Sequence, residues 1–273
     1  MFVRIVVLLL ERSPVLRRWL WRRWYGRLAR QFTQPGWTFM NYGWAPDPAS
    51  PAAPLPLAPA DEPDRLGIQL YAEVVSPMRL ADLTVLEIGS GRGGGASYLA
   101  RYHRPRKITG VDYSPEAVAL CRQRHHAVPN LEFVVGDAEQ LPLPDASFDA
   151  VVNVESSHCY GNLARFFREV VRVLRPGGHF LFTDLRAAAD MPALAATLAA
   201  GPGWECVAEV DITDRVMAAL AADDARKRRL IAEAAPPRMR HLFEEFAGLS
   251  GSKIFAGFQR RELVYHRFVC RRL

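Results

Sequence analysis

The run Val85-Leu86-Glu87-Ile88-Gly89-Ser90-Gly91-Arg92-Gly93-Gly94-Gly95 constrains the fold of this chain more than any other segment. Its apolar half has the length and residue types of a buried strand, predicted over 84–88, and its glycine half cannot continue that strand. Glycines at 89, 91 and 93 open backbone conformations closed to side chains and let a ligand come close to the main chain. A helix is predicted next, over about 95–102. A strand, a glycine turn and a helix in that order put the turn at the mouth of an open α/β sheet, where nucleosides and cofactors bind.

The pattern then repeats. Strands are predicted at 107–112, 131–136, 148–153 and 179–184, with helices at 115–126 and 163–174, an alternation that implies a doubly wound, mostly parallel sheet. Ser114-Pro115-Glu116 reads as a capped helix start, and Pro176-Gly177-Gly178 as the reversal ending the helix before it. After Asp184 the pattern changes to helices at about 191–200, 214–234 and 238–248, a possible strand at 205–212 and a closing strand at 262–270. Helices inserted before a closing strand predict a cap over the cleft, spanning 188–261, which encodes substrate choice.

Two further acids narrow the ligand. Asp112 ends the second strand about 20 residues beyond the glycine turn, a spacing that suits a carboxylate accepting from both ribose hydroxyls. Those two elements alone also fit a nicotinamide or flavin enzyme. Glu87, inside the first motif, and Asp137, after the third strand, separate the cases. A pyrophosphate needs a bare helix N-terminus, whereas S-adenosylmethionine carries a sulfonium and an amino group, both positive and better matched to acids.

The glycine motif, Asp112, Asp137, the run Leu141-Pro142-Leu143-Pro144-Asp145-Ala146-Ser147-Phe148-Asp149, and Leu174-Arg175-Pro176-Gly177-Gly178 together resemble the class I S-adenosylmethionine-dependent methyltransferases over about residues 66–187. A closer resemblance runs through Asn41-Tyr42-Gly43-Trp44, Asp61-Glu62-Pro63-Asp64-Arg65, Tyr71, Gly93 to Leu99, and Asn153-Val154-Glu155-Ser156-Ser157-His158-Cys159-Tyr160. It points to the branch containing the phthiotriol and phenolphthiotriol dimycocerosate methyltransferases and related natural-product enzymes. The resemblance implies a Rossmann-like sheet, S-adenosylmethionine as cofactor without a metal, and a lipophilic small-molecule acceptor. Cofactor contacts are expected from Glu87, Gly89, Ser90, Gly91 and Gly93, from Asp112, Tyr113 and Ser114, from Asp137, Ala138 and Glu139, and from Asn153, Val154 and Glu155.

His158 comes after the fourth strand in the loop that faces the reacting methyl in this fold, and is the expected general base. An ordinary imidazole titrates near ~6.5 and is mostly neutral at neutral pH, as a base requires. Asp184, at the end of the fifth strand, is placed to orient the ring, with Glu155 an alternative for that role. Tyr42, Trp44, Tyr71 and Cys159 are expected to meet the substrate, within an upstream aromatic set that includes Trp37 and Phe39. Methylation of a hydroxyl oxygen is the leading expectation. The rivals are methylation of a prenyl carbon, with His158 deprotonating a carbocation, and a scaffold that keeps the cofactor but only cyclises its substrate.

Composition sets limits. The 273 residues carry a net charge of +6, but residues 1–30 hold eight arginines against one glutamate, a net of +7 that leaves the rest at −1. The body therefore lacks the broad basic face that a phosphate backbone requires, and nucleic acid is not an expected partner. Cys121, Cys159, Cys206 and Cys270 show no paired spacing and are read as unpaired small hydrophobes in a reducing cytoplasm. Residues 1–44 form an arm with an amphipathic helix over about 15–32, expected to act as a lid or a homo-oligomer contact, or to lie on a membrane surface. The apolar run at the start is short and interrupted by Arg4, so it is not expected to be a signal peptide, and a cytoplasmic location is expected. Residues 45–65 read as a proline- and alanine-rich linker, residues 66–187 as the cofactor domain, 188–261 as the cap and 262–273 as the last strand of the core. Arg226-Lys227-Arg228-Arg229 reads as the solvated face of its helix.

Overall fold

The computed structural model describes residues 37–49, 54–201 and 203–273. The arginine-rich helix expected at 15–32 lies outside the described residues. The chain forms one mixed seven-stranded sheet in the order β3-β2-β1-β4-β5-β7-β6. The strands are β1 (Thr84–Ile88), β2 (Lys107–Asp112), β3 (Leu131–Val135), β4 (Phe148–Val154), β5 (Leu174–Ala187), β6 (Trp204–Asp211) and β7 (Leu263–Arg272). From β3 through β5 all pairs are parallel, and β7 runs antiparallel between β5 and β6.

Alternation along the central strands builds two cores. Val85, Ala150, Val152 and Leu181 face one side of the sheet, under α1 (Arg65–Val75), α2 (Gly94–Tyr98), α3 (Pro115–Arg124), α6 (Thr213–Ala234) and α8 (Lys253–Gln259). Their neighbours Leu86, Val151, Phe180 and Phe182 face the other side, under α4 (Leu163–Val173) and α5 (Met191–Ala199). Because both faces are covered, the central strands read as continuous apolar runs. Side-chain caps fix where several helices begin: Ser114 accepts from Ala117 N at 3.2 Å, Asn162 from Arg165 N at 3.0 Å, and Ser252 from Phe255 N at 3.0 Å.

The structure departs from the sequence expectations in five places. Helix α1 was hidden by the proline-rich stretch before it, because its buried face begins only at Ile68. The seven-residue α8 is too short to show a period of 3.6. Helix α2 stops at Tyr98 and passes into a π-helical turn, Leu99–His103, ended by Arg104 at φ 49°. Strand β5 starts at Leu174, and Arg175-Pro176-Gly177-Gly178 loops out of it, so pairing jumps from Phe148↔Leu174 to Ala150↔His179. Finally, β6 lies within the segment read as a helical cap but is the edge strand of the sheet.

That pairing also overturns the reading of two cysteines. β6 and β7 set Cys206 opposite Cys270, with Cα atoms 4.0 Å apart, and the two form a disulfide. A cross-strand register between residues 64 apart leaves no local spacing signal in the sequence. Cys121 and Cys159 are free thiols.

Candidate active site

The strand order reverses between β1 and β4, and a cavity of about 1420 Å³, its open mouth included, lies outside the carboxyl ends of the parallel strands. Its walls are the loops after β1, β2, β3 and β4, closed from above by residues 38–42 and by Phe246 at the end of α7 (Arg240–Phe246). The turn after β1 takes positive φ at Gly89 (77°), Gly91 (53°) and Gly93 (78°). At Gly89 a Cβ would also strike the Ser156 side chain, so that position needs glycine for conformation and for space.

Asp112 ends β2 and accepts from Gly91 N at 2.8 Å and Ser114 N at 2.9 Å, tying the first turn to the start of α3. Burial still lifts its pKa to about 6 against those bonds. After β3, Asp137 accepts from Glu139 N at 2.9 Å, while Glu139 accepts from Gly161 N at 2.7 Å and Asn162 N at 3.1 Å. Glu139 thereby joins two walls of the cavity. Ser90, Tyr113, Ser114, Asp137, Ala138, Glu139 and Val154 all line it.

Some expected contacts stand behind the wall. Glu87, Gly93, Asn153 and Trp44 do not line the cavity. Glu87 is fully buried in β1, where its Oε1 accepts from the Tyr71 hydroxyl at 2.5 Å and its Oε2 has no partner. Burial pushes its pKa to about 7. The Asn153 amide donates toward Ile88 O, Ser156 Oγ and Tyr160 Oη at 2.7–3.0 Å, bracing the loop after β4 against the end of β1. Trp44 packs on the core, with its N–H joined to Leu66 O at 3.0 Å through the backbone.

The loop after β4 brings the chemistry together. Asp184, fully buried on β5, accepts from His158 Nδ1 at 2.9 Å and Leu185 N at 2.8 Å on one oxygen. On the other oxygen it accepts from Ser157 Oγ at 2.6 Å and His158 N at 3.0 Å, with Arg186 Nη1 at 3.2 Å. Burial opposes ionisation, but the His158 charge, its hydrogen bond and Arg186 hold the carboxyl well below the usual range. For His158, burial acts downward and is outweighed by Cys159 and by the Asp184 carboxylate, so its pKa is raised well above the ordinary imidazole value. With Nδ1 committed to Asp184, Nε2 is the nitrogen left for proton transfer, and the ring lines the cavity, bonded to Cys159 as well. A ring so raised holds its proton near neutral pH, contrary to the neutral imidazole expected from the sequence, and must lose it before it can act as a base.

Glu155 also lines the cavity and sits at φ 50°, a strained conformation for a non-glycine residue. Its Oε2 accepts from Tyr42 N and Tyr265 Oη, both at 2.9 Å, and burial raises its pKa to about 7. These bonds make Glu155 the anchor of the 38–42 strap, whereas Asp184 holds the imidazole. Tyr42, Tyr71 and Cys159, which the sequence suggested would meet the substrate, line the cavity. Sequence reasoning gave no role to Tyr160, although it ends a quoted motif, and missed Thr38, Met40 and Phe246, which carry no motif and reach the cavity only through tertiary packing.

The acceptor set fits S-adenosylmethionine. Four carboxylates line the wall (Asp112, Asp137, Glu139 and Glu155), and Glu87 behind it keeps an unpartnered oxygen. Such a ring supplies acceptors for ribose hydroxyls and for positive charge, and would repel a pyrophosphate.

A protein of Mycobacterium tuberculosis, phthiotriol/phenolphthiotriol dimycocerosates methyltransferase, is 39% identical over 249 residues, covering 91% of this chain and 90% of its own. The chain belongs to this family of S-adenosylmethionine-dependent methyltransferases. A family model described as a methyltransferase domain matches residues 86–182. The fatty-acid O-methyltransferase of Mycolicibacterium smegmatis is 46% identical over 178 residues, 65% of this chain and 64% of that protein. Among solved structures, the [4+2]-cyclase SpnF superposes with a TM-score of 0.67 at 22% identity, covering 92% of this methyltransferase and 94% of the cyclase.

In this methyltransferase the basic tetrapeptide on α6 is not a uniformly solvated face. Arg228 and Arg229 are exposed, but Lys227 turns inward, its Nζ 5.9 Å from the centroid of the Tyr42 ring. Among the described residues no helix is long and apolar enough to cross a membrane.

Proposed function

We propose that this methyltransferase transfers the methyl group to a hydroxyl oxygen of a lipophilic small molecule, with His158 as general base and Asp184 as the residue that positions it. The observation carrying the reading is the 2.9 Å bond from His158 Nδ1 to Asp184, made while the ring faces the cavity. When bound, S-adenosylmethionine supplies an electrophilic methyl and a positive charge that is lost on transfer. Once the ring has lost its Nε2 proton, Nδ1–H donates to the carboxylate and fixes the tautomer in which Nε2 is an acceptor, so turnover rises with pH through the raised His158 pKa. Nε2 takes the proton from the acceptor hydroxyl as the new carbon–oxygen bond forms, and Asp184 stabilises the resulting imidazolium. Glu155, through Tyr42 and Tyr265, holds the strap that excludes water from the reacting oxygen. Asp112 is assigned to the ribose, and Glu87 to the orientation of Tyr71 under the first turn.

The two named relatives support a lipidic acceptor, since one is named for phthiotriol-type lipids and the other for fatty acids. The test is incubation with methyl-labelled cofactor and a panel of polyketide, lipid and terpenoid hydroxyl acceptors. Label recovered on oxygen is the expected result. Label on carbon, or acceptor cyclised without label, overturns it.

A further inference from the structure

We propose that the chamber between residues 37–42 and helices α6 and α7 binds the acceptor's apolar body, and that Lys227 there recognises a carboxylate on that acceptor. This rests on the methyltransferase reading and narrows its substrate class to hydroxylated lipophilic acids. The chamber encloses about 570 Å³ of space, the open solvent at its mouth included. It shares Phe39, Met40, Asn41, Tyr42 and Phe246 with the active-site cavity, so the two spaces adjoin along one wall.

Its surface is largely apolar, with Trp37, Leu230, Ile231 and Phe243 facing the strap, and Lys227 breaks that pattern. The ammonium reaches Ala247 O at 3.5 Å and Asp223 Oδ2 at 3.9 Å, and no shorter ionic contact is made among the described residues. Asp223 is already held by Arg226 through bonds of 2.6 and 2.7 Å, and Arg226 also reaches Asp64 at 3.3 Å. Of the two cations lining the chamber, Arg226 is therefore bonded closely to carboxylates, whereas Lys227 lies in the field of Asp223, Glu155 and Asp224 but comes no nearer than 3.9 Å to a carboxylate among the described residues. Burial holds the Lys227 pKa below the usual lysine value. A weakly compensated ammonium among apolar side chains is unfavourable in the empty protein, and a ligand carboxylate relieves that by a short charge-assisted bond.

Tyr42 links this group to the reacting centre. Its ring lies beneath Lys227 while its backbone N–H donates to Glu155 on the other side. An acceptor with its carboxylate at Lys227 and its chain along Phe39 and Phe246 thus points its remaining length toward the cavity that His158 lines.

The experiment measures binding of dodecanoate and of dodecanol to the full chain, with and without S-adenosylhomocysteine, by calorimetry. Wild type is expected to bind dodecanoate at least tenfold tighter than dodecanol. Lys227→Met should abolish that preference without changing dodecanol affinity, Lys227→Arg should retain it, and S-adenosylhomocysteine affinity should be the same in all three. Equal affinities in wild type, or a preference that survives in Lys227→Met, overturn the proposal. Failure of S-adenosylhomocysteine to bind wild type would sink the methyltransferase reading instead, and the dodecanoate comparison without it still decides the chamber.

Discussion

Replacing Asp184 by asparagine keeps its shape and removes its charge, and the cost is set by the groups around it. Four donors converge on the carboxylate: His158 Nδ1 and Leu185 N on one oxygen, Ser157 Oγ and His158 N on the other. Whichever way the new amide turns, its NH2 faces a buried backbone N–H that cannot reverse, from Leu185 or from His158. One orphaned amide costs about 1–3 kcal/mol. Arg186, 3.2 Å away, and the imidazolium lose their counter-ion as well. Breaking a buried pair by removing one partner costs about 3–5 kcal/mol in total. The two shifts define a pH window. Asp184 is depressed, so its contribution is present above its unfolded value near ~3.8 and fades as pH falls through the folded one. His158 is raised, so its contribution is complete below ~6.5 and fades as pH rises through its folded value. Urea unfolding at about pH 5.5, between those two unfolded values, should therefore show the full deficit. NMR titration of His158 should show its pKa displaced downward in the variant, and methyl transfer should fall by up to ~10⁴-fold if the amide selects the wrong tautomer. Equal stability at that pH together with an unmoved imidazole titration would refute the dyad.

The other expectations are narrower. His158→Ala should bind S-adenosylhomocysteine normally and lose about 10²–10⁴-fold in turnover, measured with labelled cofactor. Glu155→Gln keeps an oxygen for both Tyr42 N and Tyr265 Oη, since both donate to the same atom. Because burial raises Glu155 to about 7, its ionisation opposes folding as pH rises from its unfolded value, so the glutamine variant should gain stability above pH 7, by up to about 3 kcal/mol in thermal or urea unfolding. In Gly95→Ala the new Cβ would land on the Tyr71 ring, which should lower stability by about 1–3 kcal/mol and disturb the Tyr71–Glu87 bond; a wild-type melting curve would contradict that packing.

The parallel half of the sheet was legible in the sequence because both-face burial writes continuous apolar runs, and glycine and capping residues punctuate them. The five predicted strands from Thr84 to Asp184 all exist, and the order of the loops placed His158 and Asp184 on the same edge. What the sequence concealed depends on long-range pairing. The bond from Tyr42 to Glu155 spans 113 positions, the Cys206–Cys270 bridge depends on an antiparallel register between distant strands, and the inward-turned Lys227 meets the distant Tyr42 ring and Ala247 O, which helical periodicity does not announce. Glu87 and Asn153 carry a similar lesson: a residue inside a motif can act by bracing the wall that others line.

The most direct measurement is calorimetric titration of S-adenosylhomocysteine into the wild-type chain and into Asp112→Ala. The account predicts one bound molecule per chain, and affinity about 10–100-fold weaker in the variant, the loss of a charged hydrogen-bond acceptor worth about 1.5–3 kcal/mol. No binding to the wild type, or an Asp112→Ala variant that binds as tightly, would contradict it.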